Sequence, residues 1–274
     1  MIIAKDKAQL FKAKKGLTGS IGFVPTMGAL HNGHISLIRQ ARDENDIVIV
    51  SIFVNPTQFL EGEDFSVYPK KDMADIEICK MSKVDILFMP SIDSIYQRDE
   101  LKILAPAIGG YVLDGACRPK HFDGMLQVVM KLLNLSSPTR AYFGKKDAQQ
   151  LALIKQMVDS YFMDIEIVPC EIIRECNGLA MSSRNSYLSP EDKIRALSLF
   201  QSLNLAISMI FKKELDADII KEEMKKVLSK VDKIEYIEIV DRDFHSLKSV
   251  ELQNTIILVA AYIGKTRLID NIWI

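Results

Sequence analysis

Little in this chain is given over to metal, disulfide or nucleic-acid chemistry. Its 274 residues include only four cysteines, at positions 79, 117, 170 and 176, and no two form a C-x-x-C pair. That spacing matches neither a zinc site nor a disulfide framework, so reduced, mostly structural thiols are expected and no metal ligand set is assigned. Charge of one sign is also missing: 35 Lys and Arg stand against 36 Asp and Glu. No global field recruits nucleic acid or an anionic membrane, although local clustering stays open. The longest uninterrupted apolar runs, residues 47–54 and 256–263, are far too short to cross a bilayer. Residues 1–16 alternate lysines with apolar residues and lack a signal-peptide block, so a cytoplasmic location is expected. No repeat or low-complexity tract stands out.

What is present is ample core material, 48% hydrophobic against 26% charged residues, arranged in alternating β and α patterns. Residues 21–24 read as a strand, followed by a Pro-Thr-Met-Gly turn and a helix over 33–44. The β-branched run 47–54 reads as a strand buried on both faces. A helix over 72–83, a strand over 84–89, a helix over 122–135, a strand over 140–143, a helix over 148–161 and a strand over 164–168 follow. This order predicts an α/β fold, a Rossmann-like doubly wound parallel sheet, with ligands beyond the carboxyl ends of its strands. The pattern then changes. Ser189-Pro190-Glu191-Asp192 is a helix start, with Ser as cap, Pro in the first turn and acids complementing the dipole. Helices over 190–211 and 216–231 precede strands over 234–240, 255–263 and 267–274, with Gly264-Lys265 as a turn. Two domains are expected, 1–174 and a smaller α+β domain over 175–274.

The most informative stretch is Pro25-Thr26-Met27-Gly28-Ala29-Leu30-His31-Asn32-Gly33-His34. It lies between strand and helix, where unpaired N–H groups and the helix dipole attract phosphate. Gly28 and Gly33 permit close backbone approach. Two imidazoles three residues apart can point the same way and donate to phosphate oxygens as charge builds in nucleotidyl transfer. A bare H-x-G-H is equally well read as a satisfied core histidine beside an incidental loop histidine. The preceding strand, the two glycines and Pro-Thr-Met-Gly favour the phosphate reading. Gln58, in Asn55-Pro56-Thr57-Gln58-Phe59, follows the 47–54 strand at the same rim, and Gln150 opens a helix after another strand. A neutral amide both donates and accepts, which suits a substrate with hydroxyls and a carboxylate.

The strand–H-x-G-H–helix unit resembles the adenylating nucleotidyltransferase superfamily. Within it, residues 24–37, 51–59, 121–133, 142–151 and 178–188 resemble the pantothenate synthetase family in the same order, and the similarity extends to 264–271. The resemblance implies an ATP-dependent ligase that joins (R)-pantoate to β-alanine through a pantoyl-adenylate, with Mg2+ carried mainly on ATP phosphates, in a homodimer. It implies that ATP is bound by Met27, Gly28, Ala29, Leu30, His31, Asn32, Gly33 and His34, by Gly144, Lys145, Lys146 and Asp147, by the backbone of Ile173, and by Met181, Ser182, Ser183 and Arg184. His34, His31, Lys146 and Arg184 would be the catalytic groups. Pantoate would meet Gln58, Gln150, Pro25, Thr26, Met27, Phe53 and Phe143, and Gln58 would also lie near β-alanine. Tyr68, Arg118 and His121 are implied second contacts, and residues 61–66 a loop that closes over the site.

Departures from the family pattern are Lys145 where an acid is usual, Ala148 for an aromatic, Ile173 for valine, and a thinner acidic cluster of Asp72 and Asp75. Lys80-Met81-Ser82-Lys83 mimics the lysine loop of synthetases, but it ends an amphipathic helix whose Met73, Ile76 and Cys79 are expected to face inward. Met181-Ser182-Ser183-Arg184, with two hydroxyls and a guanidinium, is the better counterpart. Two other readings stay open: a cytidylyltransferase acting on a phosphorylated alcohol, and a binding module that reuses the fold. Balanced charge without a basic, aromatic-interleaved stripe argues against RNA.

Overall fold

The computed structural model describes residues 1–274. Its elements are β1 (Ile2–Ala4), α1 (Lys7–Lys14), β2 (Ile21–Thr26), α2 (Asn32–Glu44), β3 (Ile47–Ile52), α3 (Asp72–Met81), β4 (Ile86–Phe88), α4 (Ile92–Ile95), α5 (Asp114–Cys117), α6 (His121–Ser136), β5 (Arg140–Gly144), α7 (Ala148–Ser160), β6 (Glu166–Cys170), α8 (Pro190–Phe211), α9 (Ala217–Val227), β7 (Lys233–Val240), β8 (Ile256–Ile263) and β9 (Thr266–Trp273). The chain forms two compact units, one of Met1–Lys145 with Leu153–Glu171, the other of Lys146–Ala152 with Ile172–Ile274.

The first unit is built on six strands in the order β1-β4-β3-β2-β5-β6, every neighbouring pair parallel. Parallel neighbours need crossovers, which the intervening helices supply. β3, Ile-Val-Ile-Val-Ser-Ile, is buried along its whole length, as a strand covered on both faces must be. Leu37, Ile38 and Ala41 of α2 pack with Val24, Val48 and Val50 of the sheet; each fully buried aliphatic of this kind stabilises the unit by about 1.5–3 kcal/mol. The chain builds outward from β2 through β3 and β4 on one side and through β5 and β6 on the other. Loops leaving strand ends at such a reversal open the usual ligand crevice of a doubly wound sheet. Here they are the loops that follow Thr26 and Gly144.

Two features depart from expectation. β1 and α1 were not legible: Ile2–Ala4 is an edge strand beside β4, and Asp6 caps α1 by accepting from Gln9 N at 2.8 Å. A three-residue strand is too short to show a period. The inward face of α3 is also different. Met73 is 75% exposed, while Asp75 and Cys79 are buried. An acid replaces the expected apolar residue because it meets main-chain N–H groups, described below. Lys80–Lys83 closes α3, with Met81 exposed and Lys83 at φ 56°. Of the cysteines, Cys79 and Cys170 are buried, whereas Cys117 and Cys176 are exposed; none is in a disulfide.

The second unit joins α8 and α9 to the antiparallel sheet β7-β8-β9. Ser189 caps α8, its hydroxyl accepting from Asp192 N at 3.1 Å with Pro190 in the first turn. Asp216 caps α9 by accepting from Asp218 N and Ile219 N. Gly264 and Lys265 turn β8 into β9, bringing Ile263 opposite Thr266. With 22 residues, α8 is long and apolar enough to cross a membrane by length and composition alone. Its Ala196, Leu199, Leu203 and Ala206 are nevertheless buried in this unit's core with Ile220, Met224, Ile257 and Val259.

Candidate active site

The loop after β2 is shaped from within. The Thr26 hydroxyl donates to Ser51 O at 2.7 Å and accepts from Gly28 N at 3.2 Å. Two left-handed residues follow in succession: Gly28 has φ 84° and Ala29 φ 50°. A Cβ on Gly28 would also stand 3.0 Å from Ile52 Cγ2 and 3.1 Å from Asp75 Oδ2. For Ala29 the left-handed conformation costs about 1–2 kcal/mol. Asp75 offsets it, its carboxylate accepting from Ala29 N and Leu30 N, both at 2.8 Å. Asp75 is 1% exposed. Burial pushes its carboxyl above the ordinary range, against the pull of those two N–H groups.

The two histidines then cap the helix they open. His31 Nδ1 accepts from Gly33 N at 3.2 Å, and His34 Nδ1 accepts from His31 N at 3.4 Å. This is a capping box made of imidazoles, with the reciprocal logic of the Ser–Glu version. The rings lie 4.1 Å apart, tilted by 31°, and both residues are half-buried. An Nδ1 that accepts an N–H carries no proton, so each neutral ring carries its proton on Nε2 and presents it as a donor. The donors expected for phosphate are therefore redistributed. The N–H groups of Ala29, Leu30, His31 and Gly33 hold the loop's shape, and the imidazoles supply Nε2–H.

Gln58 sits at the next strand end. Its Nε2 donates to Met27 Sδ at 3.2 Å, and its Oε1 accepts from Asn55 Nδ2 at 3.1 Å, so the amide lies against the H-x-G-H loop. Asn55 is 1% exposed and is the hub of this corner. It donates to Gly124 O at 3.0 Å and accepts from Thr57 Oγ1 at 3.0 Å and Tyr96 OH at 2.6 Å. Gly124 lets α6 touch the turn, since a Cβ there would fall 2.1 Å from Thr57 O. His121 Nδ1 lies 2.6 Å from Gln58 O, and its Nε2 lies 2.9 Å from Arg118 Nη1. A carbonyl only accepts and a guanidinium only donates, so the ring is neutral with its proton on Nδ1. Burial and then the Arg118 charge lower its pKa to about 4. Arg118 pairs with both carboxylate oxygens of Glu63 at 2.6 Å, tying the 61–66 segment to this corner. Burial alone would raise the Glu63 carboxyl; the bonds and charge of Arg118 carry it below the ordinary value. Phe53, Phe143 and Tyr68 are buried, and Pro25 and Met27 half-buried.

Lys145, in the same unit, forms an ion pair with Glu171, so the unusual cation is compensated locally. Within the second unit, Lys146 Nζ lies 3.7 Å from Asp147 Oδ1, and Gln150 in the first turn of α7 is half-buried. The chain doubles back between Ile173 and Met181, with Met181 N donating to Ile173 O at 3.0 Å. This leaves Ile173 with its carbonyl engaged. Ser182 then caps a 3-10 turn over Ser183–Tyr187, its hydroxyl accepting from Arg184 N at 3.2 Å. Met181, Ser182, Ser183 and Arg184 are all half-buried.

In the first unit the structure thus brings together Pro25–His34, Phe53 and Gln58, and in the second Lys146–Gln150 and Ile173–Arg184 each occupy an ordered turn. Sequence reasoning missed the supporting roles of Asp75, Asn55, Gly124 and Asn271. One signal was available, an acid at a buried phase of an otherwise apolar helix face. Elsewhere, Asp241, Asp243 and His245 bring ligand-type atoms within 4.8 Å of one another, but Asp241 closes its own turn, accepting from Asp243 N and His245 N at 2.9 Å.

An imidazole-lined helix entrance, a neutral amide beside it and apolar side chains around both can align an anion, neutralise phosphate charge and hold an organic acid. Comparison with known proteins agrees. Residues 3–273 match the family model described as Pantoate-beta-alanine ligase. A pantothenate synthetase of Aliarcobacter butzleri is 55% identical over 274 residues, 100% of each chain, and one of Thermotoga petrophila is 50% identical over 92% of this chain and 91% of its own. The crystal structure of pantothenate synthetase from Thermus thermophilus is similar with a TM-score of 0.95 at 34% identity, covering 100% of this chain and 99% of that one. That of the Francisella tularensis pantoate-beta-alanine ligase, complexed with beta-gamma ATP and beta-alanine, gives a TM-score of 0.83 at 40% identity over 100% of this chain and 97% of that one. This chain belongs to the pantoate–β-alanine ligase family.

Proposed function

We propose that this chain condenses (R)-pantoate with β-alanine in two steps, using ATP to activate the pantoate carboxylate. A carboxylate does not acylate an amine at neutral pH because its leaving group is poor. In the first step a pantoate carboxylate oxygen attacks the α-phosphorus of ATP, and the bond to the β-phosphate oxygen breaks, releasing pyrophosphate. In the second, the β-alanine amine attacks the acyl carbon of the pantoyl-adenylate and AMP leaves, the amine losing its proton as pantothenate forms. The protein's tasks are alignment, charge neutralisation and exclusion of water from the mixed anhydride.

The observation that carries this reading is the contact of Gln58 Nε2 with Met27 Sδ at 3.2 Å. It joins an amide suited to a hydroxy acid with the loop suited to phosphate, on one rim of one sheet. Gln58 and Gln150 bind pantoate, with Pro25, Thr26, Met27, Phe53 and Phe143 walling its geminal methyl groups and Gln58 also meeting β-alanine. His31 and His34 donate Nε2–H groups to the α-phosphate and the leaving pyrophosphate. Lys146 and Arg184 neutralise phosphate charge, Ser182 and Ser183 donate hydroxyls, and the remaining contacts of Met27–His34, Gly144–Asp147, Ile173 and Met181 hold the nucleotide. Magnesium arrives on the ATP phosphates. A cytoplasmic homodimer is part of the same proposal.

The test is pyrophosphate exchange into ATP. Exchange requires pantoate, and adding β-alanine yields AMP rather than ADP. A preference for CTP, or exchange supported by no organic acid, overturns the assignment.

A further inference from the structure

Two adjacent residues of β9 reach both of the second unit's site segments. Asp270 is 3% exposed and Asn271 1%. Asp270 accepts from Arg174 Nη1 at 2.6 Å and Nη2 at 3.0 Å, while the Arg174 guanidinium also lies 4.6 Å from the centre of the Phe200 ring. Arg174 follows Ile173 directly, so this bidentate pair fixes the doubled-back segment that leads to Met181–Arg184. Asn271 Nδ2 donates to Lys146 O at 2.8 Å, and Asn271 Oδ1 accepts from Trp273 Nε1 at 2.9 Å. The amide orientation is settled by its partners: indole N–H only donates and a carbonyl only accepts.

We infer that Asn271 is a positioning residue for pantoate activation, acting through the main chain of Lys146, while Asp270 beside it fixes the Ile173 segment through Arg174. The inference rests on the reading of Lys146 as a phosphate-neutralising group. A lysine head on a four-carbon stem is placed only as well as its backbone is held. The carbonyl of Lys146 is held by one buried amide, and the dipeptide Asp270-Asn271 thereby sets the spacing between the lysine and the Ile173 turn. Neither Asp270 nor Asn271 is itself assigned a substrate contact.

The test uses the full chain with Asn271→Ala and Asn271→Asp, each made with Lys146 intact and with Lys146→Ala. The Asp variant keeps an acceptor for Trp273 and loses the donor to Lys146, which separates positioning from packing. Pantoate-dependent ATP–pyrophosphate exchange falls about 10- to 100-fold in both variants, the scale expected when a reacting group is displaced by about 1 Å. The loss appears in kcat more than in the KM for pantoate. With Lys146→Ala already present, Asn271 substitution costs less than about twofold, as expected for residues acting as one unit. In a second measurement, amide hydrogen exchange in Lys146–Ala152 accelerates while that of α8 does not. Equal losses in both backgrounds, or unchanged hydrogen exchange in Lys146–Ala152, overturn the inference. Absence of pantoate-dependent exchange in the unsubstituted chain instead removes the functional reading, and hydrogen exchange still decides whether Asn271 holds Lys146.

Discussion

The two units hold their site segments with a different balance of the same means. In the first, side chains from remote elements cap main-chain groups one at a time: Asp75 takes two N–H groups, Asn55 and neutral His121 secure the Gln58 turn. In the second, a bidentate pair between Arg174 and a buried carboxylate carries one segment and a single amide the other. The contrast separates two vulnerabilities. Capping by several separate groups fails gradually, whereas a buried ion pair fails at once when either charge is removed, because the survivor is left uncompensated.

The sharpest way to break the comparison is Asp270→Ala. It strands the Arg174 cation and is expected to cost about 3–5 kcal/mol, read as a fall in the denaturant midpoint. A loss below 1 kcal/mol would show that Arg174 finds water and that the pair is not the anchor. Next is Asp75→Ala, which leaves two buried N–H groups without an acceptor and is expected to destabilise by about 2–4 kcal/mol. It also releases Ala29 from its left-handed turn, so pyrophosphate exchange should fall about 100-fold or more; an unaltered rate would remove Asp75 from the site's support.

The third effect is a pH dependence. His121 has a folded pKa of about 4, below its unfolded value of 6.5. Between those values the unfolded chain binds the proton and the folded chain does not. Its contribution is thus fully present above pH 6.5 and lost as pH falls toward 4, up to about 3 kcal/mol in all. His121→Gln should flatten that part of the stability curve, measured by urea unfolding at several pH values. The smallest effect is Gly124→Ala. The new Cβ presses on Thr57 O, costing about 1–3 kcal/mol and shifting Gln58, so the KM for pantoate should rise more than kcat falls.

Much of the fold was legible because its signals are local. The β3 run, the Ser189-Pro190 helix start and the Gly264-Lys265 turn each lie within a few residues, and all formed as their chemistry requires. The strand–H-x-G-H–helix unit was legible for the same reason. What escaped depends on partners far along the chain. β1 exists because β4 offers an edge, and nothing in three residues reveals that. Asp75 reads only as the remnant of a thinner acidic cluster because its partners, Ala29 and Leu30, stand 46 and 45 residues away. The sequence reads the histidines as candidate phosphate donors but not as helix caps, because the capping pattern is usually written with Ser and Glu rather than with imidazole.

The bond from Asn271 to Lys146 spans 125 residues, and synthesis runs in one direction. When Lys146 leaves the ribosome, every histidine and glutamine proposed to touch substrate has been made or is about to be, yet the donor that steadies its carbonyl does not exist. Chains arrested between Glu171 and Asn271 carry the whole of the first unit without the fastening of the second. They are expected to fail at ligation, which begins only once β9 has delivered Asn271 to the Lys146 carbonyl.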